Sequence, residues 1–301
     1  MSHFKNIAEF MMFHMLKIPI SLIPWKLRLS VGKILGSMFF HLDKRHRLIA
    51  LSNLETAFGS QLSRKERKNI AHNSFMHFGR ALMEIIGFHK LKEEQKNKLF
   101  RVKGEKNIQT ALQEGKGILL FTAHYGNWEI AASYICKKAK LSVIARALDN
   151  RLLEKELLKY RMNIGEKVIY KHQATKQILQ ALRAREVVAF LIDQNVLRSQ
   201  AVFVDFFGRK AATTPSLAAF YLRTKSPILP AFSFPISSHA YLLKILSPLK
   251  MDLKGNYDDD VLKITQICTK IIEDQIRKNP NCWFWFHNRW KTRPEGEKLS
   301  P

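Results

Sequence analysis

The sequence predicts an α/β fold: a mainly parallel mixed sheet flanked by helices, behind a helical N-terminal membrane-docking region. Three observations carry this prediction. Beyond residue 100, short apolar runs rich in β-branched residues alternate with amphipathic stretches, the pattern of βαβ units. Before it, apolar groups recur at helical spacing,. The chain is 301 residues long and 46% hydrophobic, enough core for one large domain or two small ones. The organisation expected is a hydrophobic anchor over 1–26 and a second unit over 27–301, helical to residue 100 and α/β from 101.

The first element is "IAEFMMFHMLKIPISLIP", Ile7 to Pro24. Its length is near the roughly 18–20 residues a membrane span needs, but Glu9, His14, Lys17 and Pro19 interrupt it. It reads either as a buried helix or as a membrane anchor, spanning or interfacial. No small-residue cleavage site follows, which argues against a removed signal peptide. Lys26, Arg28 and Lys33 follow it, while only Lys5 precedes. Were it to span, the positive-inside rule would leave the rest of the chain cytoplasmic.

Leu27, Val31, Ile34, Leu35 and Met38 form one helical stripe,. Ser63 and Glu66 stand at capping-box spacing before a long helix, "SRKERKNIAHNSFMHFGRALMEIIGF",. The expected strands are "GILLFTA", "LSVIAR", "KVIYK", "VVAFLID", "AVFVDFF", "PILPAFSF" and "AYLLKIL". Helices are expected at Trp128–Lys138, Arg151–Met162, Thr175–Ala184 and Thr214–Thr224, and a last one near Tyr257–Lys278.

The formal charge is +25, from 50 Lys+Arg against 25 Asp+Glu. Such an imbalance points to an anionic partner, nucleic acid or an acidic lipid surface. No helix-turn-helix, RNP, KH or zinc pattern appears, and the basic residues are spread over the whole chain, so a primary nucleic-acid role is disfavoured. A non-catalytic basic membrane-binding protein is the other non-enzyme reading. Cys136, Cys268 and Cys282 lack C-x-x-C spacing and read as buried thiols of a reducing compartment. Neither a metal nor a tightly bound cofactor is expected.

The chemistry gathers at "FTAHYGNWEI", Phe121 to Ile130. Five residues of regular helix turn through about 500°, so His124 and Glu129 would point roughly 140° apart on one helix. If they meet, they meet across a turn. "YGN" supplies one: Gly126 permits an unusual backbone angle and Asn127 is a good N-cap,. A structural reading suffices for each residue, Glu129 as partner of the helix dipole and His124 as a satisfied histidine at a strand end. The functional reading uses both. His124 stands at the carboxyl end of a strand, where open α/β sheets bind ligands. With Glu129 on one ring nitrogen, the other would face the cleft as a general base. No serine or cysteine stands beside the pair in an elbow motif, so the nucleophile would be a hydroxyl of the substrate. Direct acyl transfer to an alcohol fits.

"HYGNWE" resembles the H-x-x-x-x-D/E signature of glycerolipid and lysophospholipid acyltransferases, and its HxGNWE form resembles the late acyltransferases of lipid A biosynthesis, of lauroyl and myristoyl transferase type. Other blocks occur in the family's order: "NLETAFG", with Gly59 for its proline; "VIARALDNRLLEKELLKYRMNIG", with Arg146 and Arg161; "FLIDQNV", for an acidic D-x-D block; "FFGRKAATTPS"; and the ending "NPNCWFWFHNRWKTRPEG". The resemblance runs from about residue 30 to 297, and Asn195 stands where many relatives carry the second aspartate.

The resemblance implies transfer of a fatty acyl group from an acyl-carrier-protein thioester, or acyl-CoA, to a hydroxyl of a lipid A precursor at the cell inner membrane, the catalytic part facing the cytoplasm. His124 is then the general base and Glu129 the residue orienting it. Asn127, Arg146, Arg161, Asp193 and Arg209 are the expected substrate-binding residues. Arg161, or backbone N–H groups at the start of the helix, would stabilise charge developing on the thioester oxygen; Asp193 would position substrate, cap a helix or pair with Arg161. Phosphates of the acceptor, anionic lipids and an acidic carrier protein would all suit the basic chain. Another glycolipid, such as a mannosylated phosphatidylinositol, is the competing acceptor.

Overall fold

The computed structural model describes residues 2–170, 174–237 and 240–297. Five helices come first: α1 (Ser2–Leu22), α2 (Trp25–Leu42), α3 (Lys44–Phe58), α4 (Arg64–Phe88) and the short α5 (Glu93–Lys98). Strands and helices then alternate: β1 (Phe100–Lys103), α6 (Lys106–Gln113), β2 (Ile118–Thr122), α7 (Trp128–Cys136), β3 (Leu141–Ala145), α8 (Arg151–Asn163), β4 (Glu166–Tyr170), α9 (Ala174–Arg183) and β5 (Val187–Leu191). A hairpin of β6 (Val202–Phe206) and β7 (Arg209–Thr213) precedes α10 (Ser216–Thr224), β8 (Ile228–Pro235), β9 (Tyr241–Ile245) and α11 (Tyr257–Lys278). The last proposed residue of "KVIYK", Lys171, lies outside the described residues.

Seven strands form one sheet in the order β1-β9-β8-β2-β5-β3-β4. It is the mainly parallel mixed sheet that the sequence predicts: β8 and β9 run antiparallel, and the other neighbouring pairs are parallel. β2 lies inside it, between β5 and β8, and all five of its residues are buried. Its side chains alternate between two cores. Leu119 and Phe121 pack with Ile264, Cys268 and Ile272 of α11 and with Trp283 and Trp285, while Ile118 and Leu120 pack with Ile108 of α6 and with Ala131 and Ile135 of α7.

The sequence reading missed two strands. β1 is a four-residue edge strand that alternates half-buried and exposed positions. β7 carries the polar "RK" start of its run. "AVFVDFF" also leaves the main sheet, because Phe207 (φ 55°) and Gly208 (φ 74°) make a two-residue turn that folds β6 onto β7, the positive-φ geometry that tight hairpins favour. The carboxylate of Glu273 on α11 accepts the N–H of Phe207 at 2.7 Å and holds this turn.

α4 is the beam of the helical region. Ser63 and Glu66 cap it reciprocally, as their spacing predicts. It crosses α2 so closely that a Cβ on Gly36 would lie 2.2 Å from the carbonyl oxygen of Phe75. α1 docks on α8 by polar groups: Asn150 donates to Glu9 at 2.9 Å, and Lys17 pairs with Glu156 at 2.8 Å. Its apolar side is left bare: Phe4, Met11, Met12, Met15, Ile18 and Leu22 are all exposed, followed on α2 by Ile34, Met38 and Leu42. Among the described residues no helix is long and apolar enough to cross a membrane.

Cys268 and Cys282 are buried and Cys136 is partly so. Burial pushes the Cys136 and Cys282 thiols up to about 12 and raises that of Cys268 as well.

Candidate active site

The site forms where β2 and β5 end. These strands are parallel neighbours in a register that pairs Thr122 with Leu191. Two residues further on, His124 and Asp193 leave the two strand ends side by side. Asp193 holds the histidine twice: Oδ1 accepts from ring Nδ1 at 2.8 Å, and Oδ2 accepts the His124 backbone N–H at 2.9 Å. The indole N–H of Trp283 donates to the same Oδ2 at 2.8 Å. Burial alone would raise the Asp193 carboxyl, but the charge and hydrogen bonds of His124, with the Trp283 bond, hold it below the usual carboxylate range. An ionised carboxylate only accepts hydrogen bonds, so the neutral imidazole carries its proton on Nδ1. Nε2 is then the basic nitrogen, aimed away from Asp193.

This corrects the sequence reading of the dyad. Glu129 does not orient His124. Its carboxylate is taken by Arg161, with Nη2 to Oε1 at 2.6 Å and Nε to Oε2 at 3.3 Å, and Oε1 also accepts from Trp128 Nε1 at 3.3 Å. The physical reason is the turn. Asn127 caps α7 through Ile130 N–H, which puts Glu129 in the first helical turn, facing α8. Glu129 reaches the histidine only through Trp128, whose ring meets the His124 ring edge-on at 4.9 Å. Asp193, for its part, pairs with His124 and neither caps a helix nor pairs with Arg161.

Arg161 is enclosed between carboxylates, with Glu166 Oε2 3.6 Å from its Nε. Burial works against its charge, but Glu129 and Glu166 outweigh burial and raise its pKa. The Glu166 carboxyl is pushed up by burial, then by the charge of Glu129.

Asn127 is 1% exposed and engaged at both ends of its amide, donating to Glu84 at 2.9 Å and accepting from Ile130 N–H. Its amide is committed to building the turn. Gly126 (φ +65°) lets the turn lie against β8, since a Cβ there would sit 1.4 Å from the carbonyl oxygen of Ser233. Arg146 pairs in solvent with Asp149 at 2.9 Å. Arg209 opens β7 and does not line the cavity described next. Asn195 is knitted into the C-terminal segment, donating to Thr292 Oγ1 at 2.9 Å and accepting from Thr292 N–H at 3.0 Å.

A cavity of about 480 Å³ opens at His124 and runs between α7 and the sheet. Ala131, Ala132 and Ile135 of α7 face Leu120, Val143 and Ala189 of the strands across it. Trp128, Glu129, Arg161 and Gln194 line its polar part, and Arg146 and Asp149 also border it. Ser233 lines it too, with a buried hydroxyl that has no hydrogen-bond partner among the described residues. Small residues on both walls leave an apolar slot, the shape and polarity of a hydrocarbon chain.

Several site residues escaped the sequence reading. Gln194 places its amide nitrogen 3.2 Å from His124 Nε2. Trp283 lies in an ending rich in aromatic groups, where nothing singles out one indole. Glu84 does carry a signal, a lone carboxylate inside "ALMEIIGF" with Arg80 four residues earlier. The two form a buried ion pair at 2.8 Å, and Glu84 also accepts from Asn127 and from the Tyr241 hydroxyl. On the same helix His77 Nε2 donates to Gly126 O at 3.0 Å, and Ser74 donates to Trp283 O at 2.7 Å.

Comparison with known proteins identifies the family. A family described as bacterial lipid A biosynthesis acyltransferase matches residues 2–292. The lipid A biosynthesis palmitoleoyltransferase of Escherichia coli K12 is 26% identical over 276 residues, covering 91% of this chain and 88% of that protein. The lauroyltransferase of the same organism is 25% identical over the same shares. A phosphatidylinositol mannoside acyltransferase of Mycobacterium tuberculosis is 22% identical, covering 62% of this chain and 58% of that protein. Among solved structures, a 1-acyl-sn-glycerophosphate acyltransferase from Thermotoga maritima matches at a TM-score of 0.38 and 12% identity, covering 83% of this chain and 97% of that one. The family match spans nearly the whole chain: the chain is an acyltransferase and belongs to the bacterial lipid A biosynthesis acyltransferase family.

Proposed function

We propose that this acyltransferase moves a fatty acyl group from a thioester, carried by acyl carrier protein or coenzyme A, to a hydroxyl of a lipid A precursor, with His124 as general base. The observation that carries the reading is the buried Asp193 carboxylate on Nδ1 of His124, 2.8 Å away, at the head of an apolar slot. Nε2 takes the proton of the acceptor hydroxyl, and Asp193 stabilises the imidazolium that results. The acyl chain lies in the slot, so its carbonyl reaches the histidine.

Glu129 and Arg161 wall the entrance as a paired unit. Glu129 also accepts from the Trp128 indole, which packs edge-on against the His124 ring. At the mouth, exposed Arg146 and the strongly basic chain attract the phosphates of the acceptor and an acidic donor,.

The enzyme works at the cytoplasmic face of the inner membrane, held by the bare apolar sides of α1 and α2 in the interfacial plane. A helix with its polar side docked on protein and its apolar side bare is suited to lie in a lipid surface. The +25 charge adds attraction to anionic lipid,.

Mass spectrometry of lipid A from cells lacking the protein tests substrate and reaction together. Loss of one secondary acyl chain, restored by the wild type and not by His124→Ala, is the expected result. In purified form His124→Ala should turn over at least about a hundredfold more slowly. Unchanged lipid A together with an altered inositol glycolipid would move the acceptor to the mannosylated class.

A further inference from the structure

Arg161 is one of the groups expected from the family resemblance to hold the charge that develops on the thioester oxygen. Its guanidinium is committed instead to Glu129, 2.6 Å away, and sits beside Glu166. A donor that can meet a developing oxyanion has to stand free at the reacting atoms.

Gln194 meets that requirement. It follows Asp193 directly, so the strand end that orients His124 also delivers the glutamine. Its Nε2 lies 3.2 Å from His124 Nε2. Because Nδ1 carries the ring proton toward Asp193, Nε2 of the histidine is an acceptor and the amide is the donor. The amide thus occupies the place of the incoming hydroxyl. Its main chain is anchored, with the Asn195 N–H donating to His287 Nε2 at 2.9 Å, while its side chain lines the cavity and is half-buried. The same cavity also holds the Ser233 hydroxyl, which has no hydrogen-bond partner among the described residues.

We propose that Gln194 is a catalytic residue, its amide resting on His124 Nε2 in the empty site and donating to the thioester oxygen during transfer. The proposal rests on the base role of His124. When the acceptor hydroxyl binds to Nε2, it displaces the amide. The hydroxyl oxygen attacks the thioester carbon and its proton passes to Nε2. The carbonyl π pair moves onto oxygen, giving a tetrahedral oxyanion that receives the Gln194 N–H. Collapse re-forms the C=O bond and breaks the C–S bond, and the departing thiolate takes the proton back from Nε2. An ester and a free thiol leave; no proton or electron is left over.

The test measures transfer from a radiolabelled lauroyl thioester of acyl carrier protein to a phosphorylated, hydroxyacylated glucosamine disaccharide. It uses full-length wild type, Gln194→Ala, Gln194→Glu, His124→Ala and the His124→Ala/Gln194→Ala pair. Loss of one oxyanion donor costs on the order of a hundredfold in kcat, so Gln194→Ala should fall by that much with KM little changed. Gln194→Glu keeps the size but offers an anion, and should fall as far while melting like the wild type. In the His124→Ala background, Gln194→Ala should lower the residual rate again, because the oxyanion contact does not act through the ring. Near-wild-type turnover of Gln194→Glu, or a double variant no slower than His124→Ala, would overturn the proposal. Failure of the base role would look different, with His124→Ala itself retaining full turnover.

Discussion

Each carboxylate at the site has a distinct job, and substitution separates them. Asp193→Asn keeps an oxygen for the Trp283 indole but can no longer stabilise an imidazolium, and its amide N–H would favour the wrong tautomer of His124. We expect kcat to fall roughly 10³–10⁴-fold with KM nearly constant, and the melting temperature to move little. Glu129→Gln strips Arg161 of its main charge partner inside the protein. Breaking a buried pair costs about 3–5 kcal/mol, so its activity loss should follow its folded fraction. Kinetics beside thermal melting for both variants checks this; a kinetic defect in Glu129→Gln without loss of stability would return that residue to the chemistry. Only part of this was legible in the sequence. The turn residues of "HYGNWE" mark the histidine at a strand end. Asp193 lies 69 residues away and becomes its partner only because β5 lies beside β2, and strand order is not written in any local pattern.

At the scale of elements, α4 matters more than its distance from the chemistry suggests. Ser74, His77 and Glu84 recur along one side of it and hold the Trp283 carbonyl, the Gly126 carbonyl and Asn127. Burial pushes His77 down to about 4, although its bond to Gly126 opposes this. The folded protein therefore binds this proton less readily than the unfolded chain, whose histidine titrates near 6.5. Its contribution to stability is complete above about pH 6.5 and is lost as pH falls toward 4, on the order of 3 kcal/mol in all. His287, also held down to about 4 chiefly by burial, adds in the same direction. Urea unfolding across that window should show the decline, and His77→Gln, which still donates to Gly126, should flatten its slope. α7 offers another handle. Ala132→Leu would fill part of the slot, so transfer of long acyl chains should slow more than that of short ones in a mixed-thioester competition read by mass spectrometry. The periodicity of α11 was strong enough to give its limits, Tyr257 to Lys278, from sequence alone. β7 was invisible because its stability comes from pairing with β6, which itself packs on α11, not from an apolar pattern of its own.

Taken whole, the molecule has two kinds of surface, a broadly basic one and a bare apolar one along α1 and α2. Cosedimentation with vesicles rich in phosphatidylglycerol should show binding that weakens with salt and is abolished by Met15→Glu with Ile18→Glu. Both side chains are exposed, so the helix should remain docked on α8 and turnover on detergent-dispersed acceptor should persist. Binding unaffected by the two charges would place the lipid contact elsewhere. The interior has a practical consequence. Transfer from the proposed thioester donor liberates one mercaptan per acyl group delivered, whereas two of the protein's three sulfhydryls are buried, the third is partly so, and burial raises the pKa of all three. An aromatic disulfide chromogen added to such a reaction should therefore colour chiefly with product, giving a continuous optical record of catalysis.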